Sequence, residues 1–300
     1  MRLSGIHFLL SYQCTHECDH CFLWGSPMAG GVITLAQVRE VLRQAQALGT
    51  IEMVFFEGGE PFLFYPIMLQ GLREAAALGF MTGIVSNCYW ATSAEDAVEW
   101  LRPLAEIGVD NVSLSSDLFH GSEMMTAEAR NAVAAARALN LSEGVMAIEV
   151  PDGCTPYAAK EKGEPIEGGA VRFRGRAAER LTEGVARHPW SQFIECPDED
   201  FIDPGRVHVD AYGNLHICQG VVMGNLFQRP LKEIVESYDP YTDPIIGPLL
   251  EGGPVALVER YDLPHDESYA DGCHLCYRAR EALRSRFPEQ LAPDQVFGIF

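Results

Sequence analysis

The stretch CTHECDHC, residues 14–21, holds three of the nine cysteines of this chain. It follows a short apolar run, IHFLLSY at 6–12, and its spacing is C-x3-C-x2-C. Three simple interpretations are buried core cysteines, a disulfide with one thiol left over, and a zinc ion held together with His16 or His20. The residues between the cysteines are polar on every side, which disfavours a core position. A fourth interpretation is a [4Fe–4S] cluster, which normally takes four thiolates, so three would leave one iron open.

Composition narrows the class of protein. The chain has 300 residues, 47% of them hydrophobic, with a net charge of −20. These values predict a globular protein of one large or two ordinary domains that repels nucleic acid and anionic lipid. No signal peptide is visible, and no window reaches the roughly 18 apolar residues of a membrane span. We therefore expect a cytoplasmic protein with no nucleic acid or membrane partner, in a reducing compartment that disfavours disulfides.

Strands and helices alternate through the first part of the chain. Thr34 caps a helix over 34–48 that Gly49 ends, and apolar runs before and after it predict strands. Alternating units of this kind predict an α/β fold with a parallel sheet. On the pattern alone, an open doubly wound sheet and a barrel fit equally, and about six units fall short of the eight in a complete barrel. The predicted strands cover 6–12, 51–56, 81–86, 109–115, about 145–150 and 169–174, and the predicted helices cover 34–48, 65–78, 94–106 and 123–140.

The alternation ends after about residue 182. RVHVDAYGNLHIC, residues 206–218, alternates around a Tyr-Gly-Asn turn and predicts a hairpin. A helix over 230–238, a Gly/Pro-rich run to about 272 and a last helix over 275–287 follow. We expect two domains, 1–184 and a small α+β domain over 185–300.

Polar residues follow three of the predicted strands. EGGEP, residues 57–61, comes directly after the second strand, and taken alone it can be a simple strand-to-helix turn. VSNC at 85–88 ends the third strand, and SLSSD at 113–117 ends the fourth. The carboxyl ends of parallel strands form the ligand face of such sheets, so these residues are expected to lie together. The alternative for the polar side chains is local capping of the following helices.

The CTHECDHC and EGGEP stretches together resemble the radical S-adenosylmethionine (SAM) enzymes. The first matches the C-x3-C-x-aromatic-C motif of that family, with His20 at the aromatic position, and the second matches its GGE motif. The resemblance covers about residues 6 to 182 and implies a partial (βα)6 TIM-like barrel. It implies that Cys14, Cys18 and Cys21 hold a [4Fe–4S] cluster that binds SAM. The cofactor-binding residues it implies are His20, Gly58, Gly59, Glu60, Asn87, Ser115, Asp117 and, in the Gly-Arg-Ala-like stretch FRGRA, Arg176.

The resemblance also implies the chemistry. SAM completes the cluster through its amino and carboxylate groups, and a reductant such as flavodoxin or ferredoxin supplies an electron. The cluster then cleaves SAM to methionine and a 5′-deoxyadenosyl radical, which abstracts hydrogen from the substrate. For Gly58, Gly59 and Glu60 the implied role is holding the SAM amino group through backbone contacts, and for Asn87, Ser115 and Asp117 it is contact with the carboxylate and ribose. A solvated arginine is the ordinary alternative for Arg176.

A second set of cysteines lies near the carboxyl terminus. Cys196, Cys218, Cys273 and Cys276 suffice for a closed zinc site or a closed [4Fe–4S] site. The stretches AYGNLHIC and MGNLFQRPLKEIVESY are similar to the auxiliary-cluster domains of radical SAM enzymes called SPASM, or their shorter twitch form. With four cysteines, the resemblance implies one auxiliary [4Fe–4S] cluster, and zinc stays an alternative.

The expected function is that of a radical SAM oxidoreductase or maturase. Its substrate is expected to be a peptide or a small metabolite, and the expected outcome is oxidation or cross-linking. The barrel is expected to begin at about residue 6, without a preceding domain that could capture a leader peptide. One alternative is redox-neutral epimerisation with Cys88 as hydrogen donor, or Cys154 as second choice, although free cysteines are often simply buried. Another is a non-enzymatic iron–sulfur or zinc protein.

Overall fold

A computed structural model of the chain describes residues 1–151, 162–163 and 168–300. The strands of the described part are β1 (Gly5–Leu9), β2 (Met53–Glu57), β3 (Met81–Ser86), β4 (Asn111–Ser115), β5 (Glu143–Glu149), β6 (Gly168–Ala170), β7 (His188–Pro189), β8 (Arg206–Val209), β9 (Asn214–Cys218), β10 (Val221–Asn225) and β11 (Ser268–Tyr269). The α-helices are α1 (Leu35–Leu48), α2 (Tyr65–Ala77), α3 (Ala94–Ile107), α4 (Ala127–Ala138), α5 (Ala177–Arg180), α6 (Leu231–Ser237), α7 (Ile246–Tyr261) and α8 (Gly272–Leu283).

One nine-stranded sheet organises the molecule, in the order β10-β9-β8-β1-β2-β3-β4-β5-β6. All neighbours from β8 to β6 are parallel, and β9 and β10 add an antiparallel end. The seven parallel strands line one common cavity on their inner face. The architecture is therefore a partial barrel, and the predicted α/β fold with a parallel sheet is confirmed.

Each parallel strand divides its side chains between two faces, because successive residues of a strand point to opposite sides. In β1, Ile6 and Phe8 are fully buried towards the core, while His7 and Leu9 line the cavity. The strands β2 and β4 divide their residues in the same way. This alternation gives a sheet whose outer face is covered by helices and whose inner face surrounds a cavity.

The helices pack on the outer face through apolar stripes. Thr34 and Gln37 form a capping box at the start of α1, and Gly49 ends the helix in the left-handed conformation, as the sequence predicts. The buried residues of α1 are Val38, Val41, Leu42 and Ala45. None of the helices in the described part of the chain could cross a membrane, since none is both long and apolar enough.

Several element boundaries differ from the prediction for local reasons. Thr126 caps α4 through the N–H of Ala129, so this helix begins at Ala127 instead of 123. Asp271 caps α8 in the same way, so it begins at Gly272 instead of 275. The strand expected at 169–174 is only Gly168–Ala170. The helix α7 lies where the sequence predicts only a Gly/Pro-rich run.

The residues after 185 extend the barrel sheet. The predicted hairpin is present as β8 and β9, and β8 also pairs in parallel with β1. The first strand of the hairpin thus closes one side of the cavity wall. The domain division at 184/185 stays a prediction.

Candidate active site

A cavity of about 350 Å³ lies on the inner face of the sheet and extends along the parallel strands to their carboxyl ends. Its wall consists of alternate strand residues and of the loop that follows β1. Many of the strand residues are polar, unlike those on the outer face. The strand residues in the wall include His7, Met53, Phe55, Glu57, Val85, Asn111, Ser113, Ser115, Arg206 and His208.

The three-cysteine loop forms one end of this cavity. Cys14, Cys18 and Cys21 all line it, and all three are half-buried. Backbone N–H groups point at two of the sulfurs: His16 donates to Cys14 Sγ at 3.4 Å and Gly25 donates to Cys21 Sγ at 3.3 Å. Such N–H···S bonds stabilise a thiolate that ligates a cluster.

Burial changes the ionisation of two of these thiols. Burial raises the pKa of Cys14 to about 11 and raises the pKa of Cys18 even further above its ordinary value. These thiols therefore ionise at neutral pH only when a positive charge, such as iron, is bound beside them. Three thiols at one end of the cavity, two of them with N–H donors, are a donor set for an iron–sulfur cluster with one open iron.

Gly58 and Gly59 run beside the loop at close contact. The N–H of Gly59 donates to the carbonyl of Ser11 at 2.6 Å, and the N–H of Glu60 donates to the carbonyl of Gln13 at 2.9 Å. A Cβ on Gly59 would lie 2.1 Å from the Gln13 oxygen, and Gly58 has a φ of +129°. Only glycine fits at these two positions, so EGGEP is more than a strand-to-helix turn.

The Glu60 side chain points away from the cavity and is fully buried. Its carboxyl group accepts from the N–H of Phe62, the hydroxyl of Ser86 and the N–H of Asn87, at 2.8–3.0 Å. Burial raises the pKa of Glu60 to about 7. The side chain thus connects the segment after β2 to the end of β3.

Asn87 lies at the end of β3, in the cavity wall. Its amide nitrogen is 3.0 Å from Thr15 Oγ1, 3.0 Å from His16 Nδ1 and 3.4 Å from Cys14 Sγ. A donor is thereby placed next to the first cysteine sulfur. Ser115, at the end of β4, also lines the cavity.

Asp117 and His20 both lie close to His120, and one side-chain ligand atom from each of the three residues lies within 4.8 Å of the other two. Asp117 is 1% exposed and accepts from the N–H of Phe119, the N–H of Ile148 and His120 Nδ1. Burial alone raises the pKa of Asp117, but the bond from His120 holds it below its ordinary value. Asp117 thus caps the turn that follows β4, whereas Thr126 caps the next helix, so the helix capping expected as an alternative for Asp117 is not observed.

His20 behaves as an aromatic side chain. Its ring packs against Phe119 at 4.6 Å and against His120 at 5.5 Å between centroids, and it lines the cavity. Burial lowers the pKa of His20 to about 4, so the ring is neutral at neutral pH. A neutral aromatic ring is consistent with the aromatic position of the C-x3-C-x-aromatic-C motif, which His20 occupies.

Arg176 is buried against the back of the cysteine loop. Its terminal nitrogens donate to the carbonyls of Cys18 at 2.8 Å and Gly25 at 2.9 Å, and its guanidinium lies 5.2 Å from the Trp24 ring centroid. The observed contacts are therefore with the loop that carries the cysteines. The solvated arginine expected as an alternative is not what the structure has.

The second cysteine set converges on one pocket. Cys196, Cys218, Cys273 and Cys276 all line it, although they come from a loop, the end of β9 and the start of α8. Two buried arginines line it as well, and Arg174 Nη1 lies 3.2 Å from Cys218 Sγ. Burial raises the pKa values of Cys196, Cys218 and Cys273. Four thiols beside buried cations are a donor set that fits a cluster or a zinc ion.

Cys218 lies in the linings of both pockets. Gln219, the next residue, is 6% exposed and also lines the main cavity. Both polar atoms of its amide are buried without a hydrogen-bond partner among the described residues. The second cysteine site is thus a direct neighbour of the main cavity.

Cys88 is fully buried in the main hydrophobic core, with its sulfur 3.7 Å from the carbonyl of Ser86. This packing favours the alternative of a buried small side chain, and the hydrogen-donor role stays a prediction. Cys154 lies outside the described residues.

Sequence reasoning missed several polar residues in the cavity wall, among them His7, Glu57 and His208. His7 and His208 occupy inward positions of short apolar strands, and Glu57 is the last residue of β2. A polar residue within an otherwise apolar strand is the sequence feature that could have indicated a position in the cavity wall. Which residues of these strands face the cavity can be recognised only when the inner face of the sheet is known.

Residues 8–138 match the family model of the Radical SAM superfamily. The chain is similar to YydG of Bacillus subtilis, named for peptide biosynthesis, with 24% identity over 122 residues, 41% of this chain and 38% of YydG. It is also similar to the tungsten-containing aldehyde ferredoxin oxidoreductase cofactor-modifying protein of Pyrococcus furiosus, with 29% identity over 117 residues, 39% of this chain and 31% of that protein. The matches thus span about a third of the length of these curated relatives.

Among solved structures, the chain is similar to BtrN in complex with AdoMet and 2-DOIA. The two share 15% sequence identity with a TM-score of 0.49, over 84% of this chain and 89% of BtrN.

Proposed function

We propose, from the match of residues 8–138 to the family model of the Radical SAM superfamily, that the chain is a radical SAM enzyme that oxidises a peptide or a small metabolite. Cys14, Cys18 and Cys21 hold the cluster that binds SAM in this proposal. Cys196, Cys218, Cys273 and Cys276 hold an auxiliary [4Fe–4S] cluster in a SPASM- or twitch-like region.

The observation that carries the proposal is the meeting of the cysteine loop and the two-glycine segment at one end of a polar cavity. Three thiols leave one ligand position of a [4Fe–4S] cluster for SAM. When bound, the reduced cluster supplies the electron that cleaves SAM to methionine and the 5′-deoxyadenosyl radical.

The side chains around the loop have roles that follow from their contacts. The N–H of Gly59 is already bonded to Ser11, so the carbonyl oxygens of Gly58 and Gly59 are the groups that would accept the SAM amino group. The Asn87 amide, beside Cys14, is a donor for a carboxylate. Ser115 in the wall is a partner for a ribose hydroxyl, and His20 offers a neutral ring face.

The position of Cys218 supports an oxidative reaction. Because Cys218 lines both pockets, a group in the main cavity can lie close to the auxiliary site. An electron from the substrate radical then has a short path to an acceptor. Epimerisation would need a hydrogen donor in the cavity, whereas Cys88 is packed in the core.

A peptide is the favoured substrate class, and the support for it is the similarity to YydG, whose name refers to peptide biosynthesis. A small metabolite is the second candidate, because the cavity has a volume of about 350 Å³. Small-molecule pockets commonly have volumes of about 300–1,000 Å³.

The test is cleavage of SAM by the reconstituted, reduced protein. We expect 5′-deoxyadenosine from the parent protein and none from the triple variant Cys14→Ala, Cys18→Ala, Cys21→Ala. The matched control is Cys154→Ala, which removes a thiol outside both sets and should keep the parent rate. Deoxyadenosine at the parent rate from the triple variant would show that the proposal is wrong. A parent protein that binds iron but makes no deoxyadenosine would favour a non-enzymatic iron–sulfur protein.

A further inference from the structure

Three polar side chains from adjacent strands meet in the cavity wall: His7 of β1, Glu57 of β2 and His208 of β8. The strand register brings them together. His7 pairs directly with His208, and Glu57 pairs with Leu9, the next inward residue of β1. The group therefore lies on the rigid part of the barrel and belongs to neither cysteine set.

Both imidazoles approach the same carboxylate oxygen. His7 Nδ1 lies 3.2 Å and His208 Nε2 lies 3.0 Å from Glu57 Oε1. Metal–ligand bonds of about 2.0–2.2 Å place two ligands of one ion about 3.0–3.4 Å apart. The ring of His7 is stacked on Phe55 at 4.9 Å between centroids, which fixes its orientation. All three ligand atoms lie within 4.8 Å of one another, close enough to share a single ion.

The three residues do not satisfy one another as a closed hydrogen-bond network. His7 Nε2 and His208 Nδ1 are buried and have no hydrogen-bond partner within the described ranges. His7 is only 7% exposed, so its unpaired nitrogen is costly. These are the second ring nitrogens and not the atoms that face Glu57, so they would not bind the ion; their partner would be a water or a group bound in the cavity, as is usual for metal-bound imidazoles.

We propose that His7, Glu57 and His208 bind one divalent transition-metal ion of the zinc class. Two imidazoles and one carboxylate are a donor set that zinc and iron(II) take in proteins, with further coordination positions open. The open positions face the cavity, where they accept an oxygen ligand: a carboxylate, hydroxyl or carbonyl group. The metal then orients that group and polarises it as a Lewis acid.

The experiment measures zinc binding to the cluster-reconstituted protein after dialysis against micromolar free zinc. We expect one zinc per chain beyond the cluster iron, and X-ray absorption at the zinc edge should show nitrogen and oxygen ligands without sulfur. The double variant His7→Gln, His208→Gln should lose this zinc. The control His188→Gln removes an exposed histidine and should keep it.

Two measurements separate metal loss from misfolding. The double variant should keep the iron content and melting temperature of the parent. If the double variant does not fold, the single variant Glu57→Gln provides the test, because it keeps the shape of the side chain. It should weaken zinc binding at least about tenfold, which is the smallest effect typical even of changes in the residues around the ligands. The proposal is overturned by absence of zinc on the parent protein, by sulfur ligation, or by zinc binding that Glu57→Gln leaves unchanged. None of these outcomes depends on cleavage of SAM.

Discussion

The contacts of single residues explain how the cysteine loop keeps its shape without regular secondary structure. Backbone N–H groups donate to Cys14 and Cys21, while the Arg176 guanidinium binds two loop carbonyls. A buried cation with good hydrogen bonds stabilises such a loop, and removing it leaves carbonyl oxygens unpaired.

Arg176→Ala should therefore destabilise the loop by about 1–3 kcal/mol, the usual cost of unpaired buried groups. We expect the variant to lose iron from the SAM-binding cluster, measured as iron per chain after gel filtration. The control is Arg180→Ala, one helical turn away, whose side chain is 62% exposed. Iron content equal to that of the control would contradict a clamping role for Arg176.

The sequence predicts the residues of this site better than it predicts their contacts. The cysteines, Asn87 and Ser115 are found at the cavity, as the strand ends predict. The contacts of Glu60 and Asp117 with other parts of the protein could not be predicted, because they depend on long-range packing.

At the scale of elements, the segment after β2 is fixed by its proximity to the loop after β1. Two backbone hydrogen bonds join the two segments, and the glycines allow the close approach. This pairing brings the EGGEP stretch, residues 57–61, to the cysteine stretch, residues 14–21, across 35 intervening residues.

Gly59→Ala should displace the loop, because the added Cβ would meet the Gln13 oxygen at 2.1 Å. We expect loss of deoxyadenosine formation by at least about tenfold, which corresponds to about 1.4 kcal/mol. Gly30→Ala is the control, since its Cβ would meet no atom within 4 Å. Parent activity in Gly59→Ala would mean that the close approach is not needed for SAM cleavage.

Elements with regular hydrophobic periodicity were predicted well, and interrupted ones were not. The four helices of the barrel follow a helical apolar pattern and are present. The helix α7 was missed because Gly252, Gly253 and Pro254 interrupt it, and the backbone at both glycines is non-helical. Local breaker residues hid a helix that tertiary packing stabilises.

At the scale of the whole molecule, the sheet connects the two cysteine sites. The strand β8 pairs with β1, and β9 carries Cys218 to the edge of the cavity. The sequence could not predict this connection, since the pairing of β8 with β1 joins residues about 200 positions apart.

Cys273→Ala together with Cys276→Ala should remove the auxiliary cluster alone. We expect iron to fall from about eight to about four per chain, by thiolate count, while deoxyadenosine formation persists. The control is again Cys154→Ala, with iron unchanged. If the parent holds about four irons and a zinc ion with sulfur ligands, the second site is a structural zinc site, and the double variant should lose stability instead.

The central claim is that three thiolates hold a cluster whose open iron binds SAM. The most direct test is the electron paramagnetic resonance spectrum of the reduced variant Cys273→Ala, Cys276→Ala, which retains only this cluster. Adding SAM should shift the g-values, because its amino and carboxylate groups bind the open iron. The analogue 5′-methylthioadenosine lacks both groups and should leave the spectrum unchanged. A spectrum that SAM does not alter would contradict the account.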